Sequence, residues 1–176
     1  MDSASVARSP VVRPAAPDPA PGFVAPDHDY AARVRESFAR QGAMGLIGAR
    51  MIELRPGHCT IDMAHRANLT QQHGYIHAGI VSALVDTAGG FAGYTLFPAD
   101  SSVLTVEFKL NLLAPAAGER LIAIGEVIRL GRTLVITRGE VYAETAGTRV
   151  LCALMQQTLM VMAGKPDQAS NRDGRK

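Results

Sequence analysis

The sequence predicts an α+β domain in which a curved antiparallel sheet of about six strands wraps around one long central helix. The helix is predicted over Ala78–Phe97, which has no proline, no strand-like alternation and apolar residues on nearly every side. Strand patterns lie on both sides of it, two before and four after, with short glycine-containing links. Because no other segment has enough apolar surface to cover this helix, the sheet is expected to curl around it.

Before the central helix, the sequence predicts one short helix and a β-hairpin. Residues Tyr30–Gln41 place apolar side chains at helical spacing, and Gly42 and Gly45 are expected to end that helix. Two strands, Ala49–Leu54 and Cys59–Ala64, are separated by a Pro-Gly pair, which is a strong turn signal. The pair of strands is therefore read as a hairpin.

After the central helix, the sequence predicts four strands. Polar and apolar residues alternate strictly over Thr105–Leu112, the pattern of a strand with one buried face. The other three strands are predicted over Leu121–Leu130, Thr133–Glu144 and Arg149–Met162.

The length of 176 residues suits one ordinary domain, expected over residues 29–163. Residues 1–28 are rich in proline, alanine and serine, and are expected to form a disordered extension. Residues 164–176 are polar and are expected to form a flexible tail.

Composition excludes several classes of protein. The net charge of +2 comes from scattered basic residues, which argues against nucleic-acid binding. Asp86 and four glycines argue against a membrane span in the apolar helix. A secretory signal is not expected, because the N-terminal segment lacks a continuous apolar core. Cys59 and Cys152 suggest neither a disulfide framework nor a metal site, so a cytoplasmic protein is expected. His73 and His77 lack a third ligand, so neither metal nor cofactor is expected.

A group of residues around Asp86 carries the functional signal. An isolated carboxylate inside an apolar helix is costly unless it is paired or functional. It is preceded by Gln71, by Gly74 and by the triplet His77-Ala78-Gly79. Further along, Thr105 stands ten residues before a proline, and a Gly-Arg-Thr turn contains Arg132 and Thr133.

Over about Tyr30 to Met162 these features resemble the hotdog fold, and most closely the PaaI-type acyl-CoA thioesterases. That branch has an Asn or Gln, a Gly three residues on, His-Gly-Gly, and an acid nine residues after the His. The sequence matches at each position except Ala78, which replaces the first glycine of the triplet. The resemblance implies hydrolysis of an acyl-CoA thioester.

Thioester hydrolysis needs donors for an oxyanion and a group that drives attack. The backbone N–H groups of Ala78 and Gly79, at the start of the helix, are the expected donors, with Gly74 also in the substrate site. Asp86 is the expected general base or nucleophile, and the residues do not separate these routes. Five polar residues are expected to help: His77 and Gln71 at the carbonyl, Thr105 or Gln71 at Asp86, and, as the resemblance implies, Arg132 with Thr133 at the coenzyme.

The spacing from His77 to Asp86 predicts a homodimer. Nine helical residues rise about 13.5 Å and turn two and a half times, so Asp86 points away from the oxyanion end of its own helix. A site that uses both must therefore combine two subunits, and the resemblance also allows a tetramer of two dimers.

Several alternatives stay open from the sequence. Asp86 could be a structural carboxylate satisfied by a neighbouring threonine or backbone group. The protein could be a hotdog dehydratase or hydratase, or a non-catalytic acyl-CoA-binding module. The acyl group could be aryl or a medium-to-long aliphatic chain, and the low aromatic content of 5% leans slightly towards the aliphatic chain.

Overall fold

The computed structural model describes residues 22–167, which form one six-stranded antiparallel sheet and three helices. The sheet order is β1-β2-β4-β5-β6-β3, so β1 and β3 are its edges. The helices are α1 (Tyr30–Ala39), α2 (Gly42–Ile47) and α3 (Ala78–Tyr94). The strands are β1 (Arg50–Arg55), β2 (His58–Ala64), β3 (Ser102–Leu112), β4 (Arg120–Leu130), β5 (Leu134–Thr145) and β6 (Thr148–Met162).

Helix α3 lies against the inner face of the sheet, and every residue from Thr87 to Tyr94 is buried. Glycines allow the close approach of helix and strands. A Cβ at Gly125 of β4 would overlap the backbone of Ala88, and one at Gly139 of β5 would overlap the side chain of Val85. The predicted fold class, a curved antiparallel sheet around one central helix, is confirmed.

The helices differ from the prediction at two places, and β3 begins at Ser102 rather than Thr105. Helix α3 ends at Tyr94 rather than Phe97, because the next backbone bonds tighten to the i−3 spacing: the Leu96 N–H donates to the Gly93 carbonyl at 3.0 Å and the Phe97 N–H to the Tyr94 carbonyl at 3.2 Å. The glycines expected to end the first helix instead belong to α2, a second helix that ends at Gly48 with a left-handed φ of 71°. A short 3₁₀ helix over Ala67–Leu69 was also not predicted.

The alternation predicted for β3 is interrupted by a β-bulge. The register with β6 shifts between Thr105, which pairs with Leu159, and Glu107, which pairs with Thr158. Two residues of β3, Thr105 and Val106, therefore oppose one residue of β6. The alternation of side chains between the two faces of the sheet shifts by one residue at this point. Strict alternation would place Thr105 and Glu107 on one face, whereas Thr105 faces α3 and Glu107 faces outward.

The structure describes only a small part of the predicted N-terminal extension and of the predicted C-terminal tail. Most of the expected extension, residues 1–21, and most of the expected tail, residues 168–176, lie outside the described residues. Within the described part, Phe23 packs against Gly57 in the β1–β2 turn, and Asp27 pairs with Arg33 at 2.8 Å. Between residues 22 and 167, no helix is both long and apolar enough to cross a membrane.

Candidate active site

Asp86 lies at the middle of α3 and is held by two side chains from other elements. The Thr105 hydroxyl of β3 donates to Asp86 Oδ1 at 2.8 Å. The Gln157 amide of β6 donates to the same Oδ1 and to the Asp86 backbone carbonyl, the latter at 3.1 Å. The Thr137 hydroxyl of β5 in turn donates to Gln157 Oε1 at 2.8 Å. Asp86, Thr105, Gln157 and Thr137 are called the Asp86 cluster below.

Gln157 and Thr137 were not identified from the sequence. Gln157 is 1% exposed and Thr137 is 0% exposed, on strand faces otherwise occupied by apolar side chains. The available signal was the position of Gln157 in the β6 pattern, between Met155 and Leu159, since a polar side chain on a buried face requires partners. The identity of those partners depends on contacts distant in sequence, which the pattern does not contain.

Burial raises the pKa of Asp86 above the usual value for an aspartate, and hydrogen bonds from Thr105 and Gln157 act in the opposite direction. Burial disfavours the charged form because it removes water, while donors to a carboxylate favour the charged form. The cluster therefore holds a partly desolvated carboxylate whose ionised form is stabilised by two directed donors. A raised pKa together with specific partners is typical of groups that act as bases or nucleophiles.

A cavity of about 100 Å³ opens beside Asp86. It lies between α3, the start of β3 and the link between α1 and α2. Its lining residues are Gln41, Asp86, Thr87, Gly90, Phe91, Val103 and Thr105. Ligand pockets of drug-sized molecules are about 300–1,000 Å³, so this chain alone does not enclose a thioester substrate.

The start of α3 is organised by His77, which is the N-cap residue. Its Nδ1 accepts a hydrogen bond from the Gly79 N–H at 2.9 Å. The expectation that both Ala78 and Gly79 present free N–H groups is therefore wrong for Gly79 in this structure. The Ala78 N–H, in contrast, has no acceptor among residues 22–167.

Gln71 and Gly74 lie in the loop that leads into α3. The loop is a tight turn in which the Gln71 N–H donates to the Tyr75 carbonyl at 2.9 Å. The Gln71 side-chain oxygen accepts from the His73 N–H, and Gly74 has a left-handed φ of 82°. Within one chain Gln71 is therefore bound to its own loop and does not hold Asp86, a role that Thr105 fills.

Arg132 and Thr133 are exposed in the turn between β4 and β5. The Thr133 carbonyl accepts from the Val161 N–H of β6 at 2.9 Å, four residues beyond Gln157. The turn is thus about 13 Å along β6 from the Asp86 cluster. Within one chain, the predicted site residues therefore lie in three separate places: the start of α3, the Asp86 cluster and this turn. Among residues 22–167, no three histidine, cysteine or carboxylate side chains are grouped to hold a metal ion.

Comparison with known proteins identifies the family. The model of the thioesterase superfamily matches residues 73–150. A solved thioesterase family protein from Silicibacter pomeroyi is 47% identical, with 77% of this chain and 99% of that chain covered and a TM-score of 0.76. A protein of Halobacterium salinarum named as a candidate esterase is 31% identical over 61% of this chain and 75% of its own length.

A third comparison concerns the fold alone. The PaaI protein of Escherichia coli, from the phenylacetic acid degradation operon, has a TM-score of 0.71 at 18% identity, covering 79% of this chain and 97% of that chain. Family match, sequence identity and sheet topology agree with the resemblance drawn from Gln71 to Asp86. The chain belongs to the thioesterase superfamily and is a thioester hydrolase of the hotdog fold.

Proposed function

We propose that the protein is a PaaI-type acyl-CoA thioesterase that converts an acyl-CoA to the free acid and coenzyme A. Asp86 acts as general base toward water or as nucleophile on the thioester carbonyl. The observation that carries the proposal is the Asp86 cluster, in which a half-buried carboxylate with a raised pKa lies beside a cavity. Such a carboxylate is poorly solvated, and its proton affinity is higher than that of an exposed aspartate.

The oxyanion site is proposed at the start of α3. Because the Gly79 N–H donates to Nδ1 of His77, the proton of the neutral imidazole is on Nε2. The Nε2–H and the free Ala78 N–H then offer two donors at the end of the helix where the dipole favours negative charge. Gln71 and Gly74 shape the loop beside them.

Each active site is proposed to combine two subunits. Eight residues of helix separate Ala78 from Asp86, a rise of about 12 Å, so one substrate carbonyl does not reach both within one chain. Strand β3 offers the pairing surface, because it is a sheet edge with exposed apolar side chains. Val106 is 54% exposed, Phe108 46% and Leu112 57%.

A long apolar sheet edge is normally covered by another strand. A twofold axis that pairs β3 with its copy reverses the direction of α3 in the partner. The start of the partner's helix is thereby directed toward the middle of the first helix. The residues that one chain keeps apart then belong to two complete sites.

The acyl group is proposed to extend from Asp86 along α3. Gly90 is one helical turn beyond Asp86, and a Cβ placed there would meet no atom within 4 Å. Phe91 and Val103 give this side of the cavity an apolar lining. The exposed guanidinium of Arg132 is available for coenzyme phosphates at the β4–β5 turn. Aryl and aliphatic acyl groups both fit this chemistry.

The test is a thiol-release screen over acyl-CoA chain lengths and aryl-CoAs, with Asp86→Asn as the matched variant. Asn keeps the shape of the side chain and can accept from Thr105 and Gln157, so the fold should persist. The expected loss in turnover is about 10²-fold or more, the range of acid–base groups. Near-normal hydrolysis by the variant, or no hydrolysis of any thioester by the wild type, contradicts the proposal.

Shared sites are tested by mixing variants. Ala78→Pro removes only the free N–H, since proline is accepted at the first helical position and His77 already has the extended conformation that precedes proline. Asp86→Asn and Ala78→Pro, each inactive alone, should on co-expression recover about a quarter of wild-type activity, because half of the dimers carry one intact site. Mixtures as inactive as the single variants contradict shared sites.

A further inference from the structure

We infer that Gln157 is a positioning residue that, together with Thr105, occupies Oδ1 of Asp86 and leaves Oδ2 as the oxygen that acts on the substrate or water. The inference rests on the proposed function for the role of Asp86 as the reacting group. The hydrogen bonds themselves are features of this chain and are testable without any substrate.

The orientation of the Gln157 amide is fixed at both ends. Its Oε1 accepts from the Thr137 hydroxyl at 2.8 Å, so the carbonyl end faces β5. Its Nε2 faces two acceptors of Asp86, the Oδ1 atom and the backbone carbonyl. A flipped amide would put Oε1 against the carboxylate, which is repulsive, and would leave no donor for the backbone carbonyl.

Both donors converge on the same carboxylate oxygen. The Thr105 hydroxyl and the Gln157 amide donate to Oδ1, and Nε2 also lies 3.1 Å from Thr105 Oγ1. Among residues 22–167, no hydrogen bond is made to Oδ2. The cavity is lined by the Asp86 side chain, so Oδ2 is the oxygen left for a reacting group.

No other titratable side chain lies against Asp86 in the described chain. The groups that face it come from the α1–α2 link, from α3, and from strands β3 and β6. They are Gln41, Thr87, Gly90, Phe91, Val103, Thr105 and Gln157. The charge state of Asp86 is therefore governed by burial and by its two donors, and the removal of one donor makes ionisation harder.

Helix α3 leaves room for the amide. A Cβ at Gly89, three residues beyond Asp86, would overlap Gln157 Oε1 and would lie 2.9 Å from Thr137 Oγ1. Both atoms belong to the hydrogen bond that fixes the amide orientation. Gly89, Thr137 and Gln157 thus pack together beside the Asp86 carboxylate.

The first test replaces the amide with an apolar side chain of similar length, Gln157→Met. We expect kcat for the best acyl-CoA substrate to fall about 10-fold or more, the effect of losing a hydrogen bond to a charged group. KM should change less than kcat, and the acid limb of the pH–kcat profile should move to higher pH. The control is Gln156→Met, the neighbouring exposed glutamine on the opposite face of β6, which should behave as the wild type.

A second variant addresses amide orientation without contact to Asp86. Thr137→Val keeps the side-chain shape and removes the hydroxyl that binds Oε1, so it should lower kcat less than Gln157→Met and move the acid limb in the same direction. Thr158→Val, on the outer face of β6, is its control. If Gln157→Met does not fold, Thr137→Val and Gly89→Ala decide the question. Folded variants with wild-type kcat and pH profile overturn the inference.

A readout independent of activity separates this inference from the proposed function. Carboxyl carbons of aspartate-labelled protein can be titrated by NMR, with the Asp86 signal assigned by its loss in Asp86→Asn. We expect this signal to titrate at higher pH in Gln157→Met than in the wild type and in Gln156→Met. An unchanged titration overturns the inference. A wild type without thioesterase activity overturns the proposed function, while the shift in titration would still support the placement of Gln157.

Discussion

Side chains at the start of α3 bind neighbours in the sequence, whereas Asp86 in the middle of α3 binds residues that are distant in the sequence. At the start, His77 binds the N–H of Gly79 and Gln71 binds the N–H of His73, both two residues away, and these side chains are at least partly exposed. In the middle, Asp86 binds Thr105, 19 residues away, and Gln157, 71 residues away. Gln157 and Thr137 of this cluster are buried, Asp86 is half-buried and Thr105 is exposed.

This difference separates two requirements of the proposed chemistry. An oxyanion site needs fixed N–H groups, which a helix start supplies from its own chain segment. A base needs an environment that sets its protonation state, which only burial and distant partners supply. The fold at the start of α3 should therefore tolerate substitutions that keep its cap, whereas the Asp86 cluster should respond to changes on three strands.

The largest expected effect in this comparison comes from Thr105→Val, which removes one of the two donors to Asp86. A hydrogen bond to a charged group contributes about 1.5–3 kcal/mol, so kcat should fall about 10- to 100-fold while the fold persists. Thiol release by the purified variant measures the effect. Thr148→Val, at the exposed threonine that begins β6, is the control. Unchanged turnover in Thr105→Val would show that Asp86 does not depend on this donor.

A smaller effect is expected at the start of the helix. His77→Ala removes the cap acceptor of Gly79 and should lower the free energy of unfolding by about 1 kcal/mol. His77→Asn restores a preferred cap and should restore the stability measured by urea denaturation. Because Asn lacks the imidazole Nε2–H, hydrolysis should stay below that of the wild type. Full recovery of both stability and hydrolysis in His77→Asn would show that His77 acts only as a helix cap.

The smallest expected effect is the pH dependence of stability. The pKa of Asp86 is raised in the folded protein, so the folded state binds this proton more tightly than the unfolded state. Stability is lost as pH rises from the unfolded pKa, about 3.9, through the raised folded pKa. Asp86→Asn should therefore melt at a higher temperature than the wild type at neutral pH. The difference should shrink below about pH 4, where both states are protonated. A lower melting temperature of Asp86→Asn at neutral pH would contradict this sign.

The contrast between contacts that are local in sequence and contacts that are distant also explains which parts of the fold and of the site the sequence predicts. The central helix and the strands follow from periodicity, and Asp86 is visible because a lone carboxylate interrupts an apolar helix. The bond from the Gly79 N–H to His77 and the face occupied by Thr105 do not follow, because they depend on one local geometry and on a bulge. The partners of Gln157 and Thr137 do not follow from local patterns, since they are distant in sequence.

The bulge in β3 determines which face of the sheet Thr105 occupies. Val106 is the extra residue between Thr105 and Glu107, and it acts as a phase shift of one residue. A regular ladder in which Val106 paired with Leu159 would turn Thr105 outward, with no change to Asp86 itself. A shift of one residue in the pairing of this edge strand can thus bring a hydroxyl to Asp86 or remove it. Alignments of related chains that ignore this position would pair residues from opposite faces of the sheet.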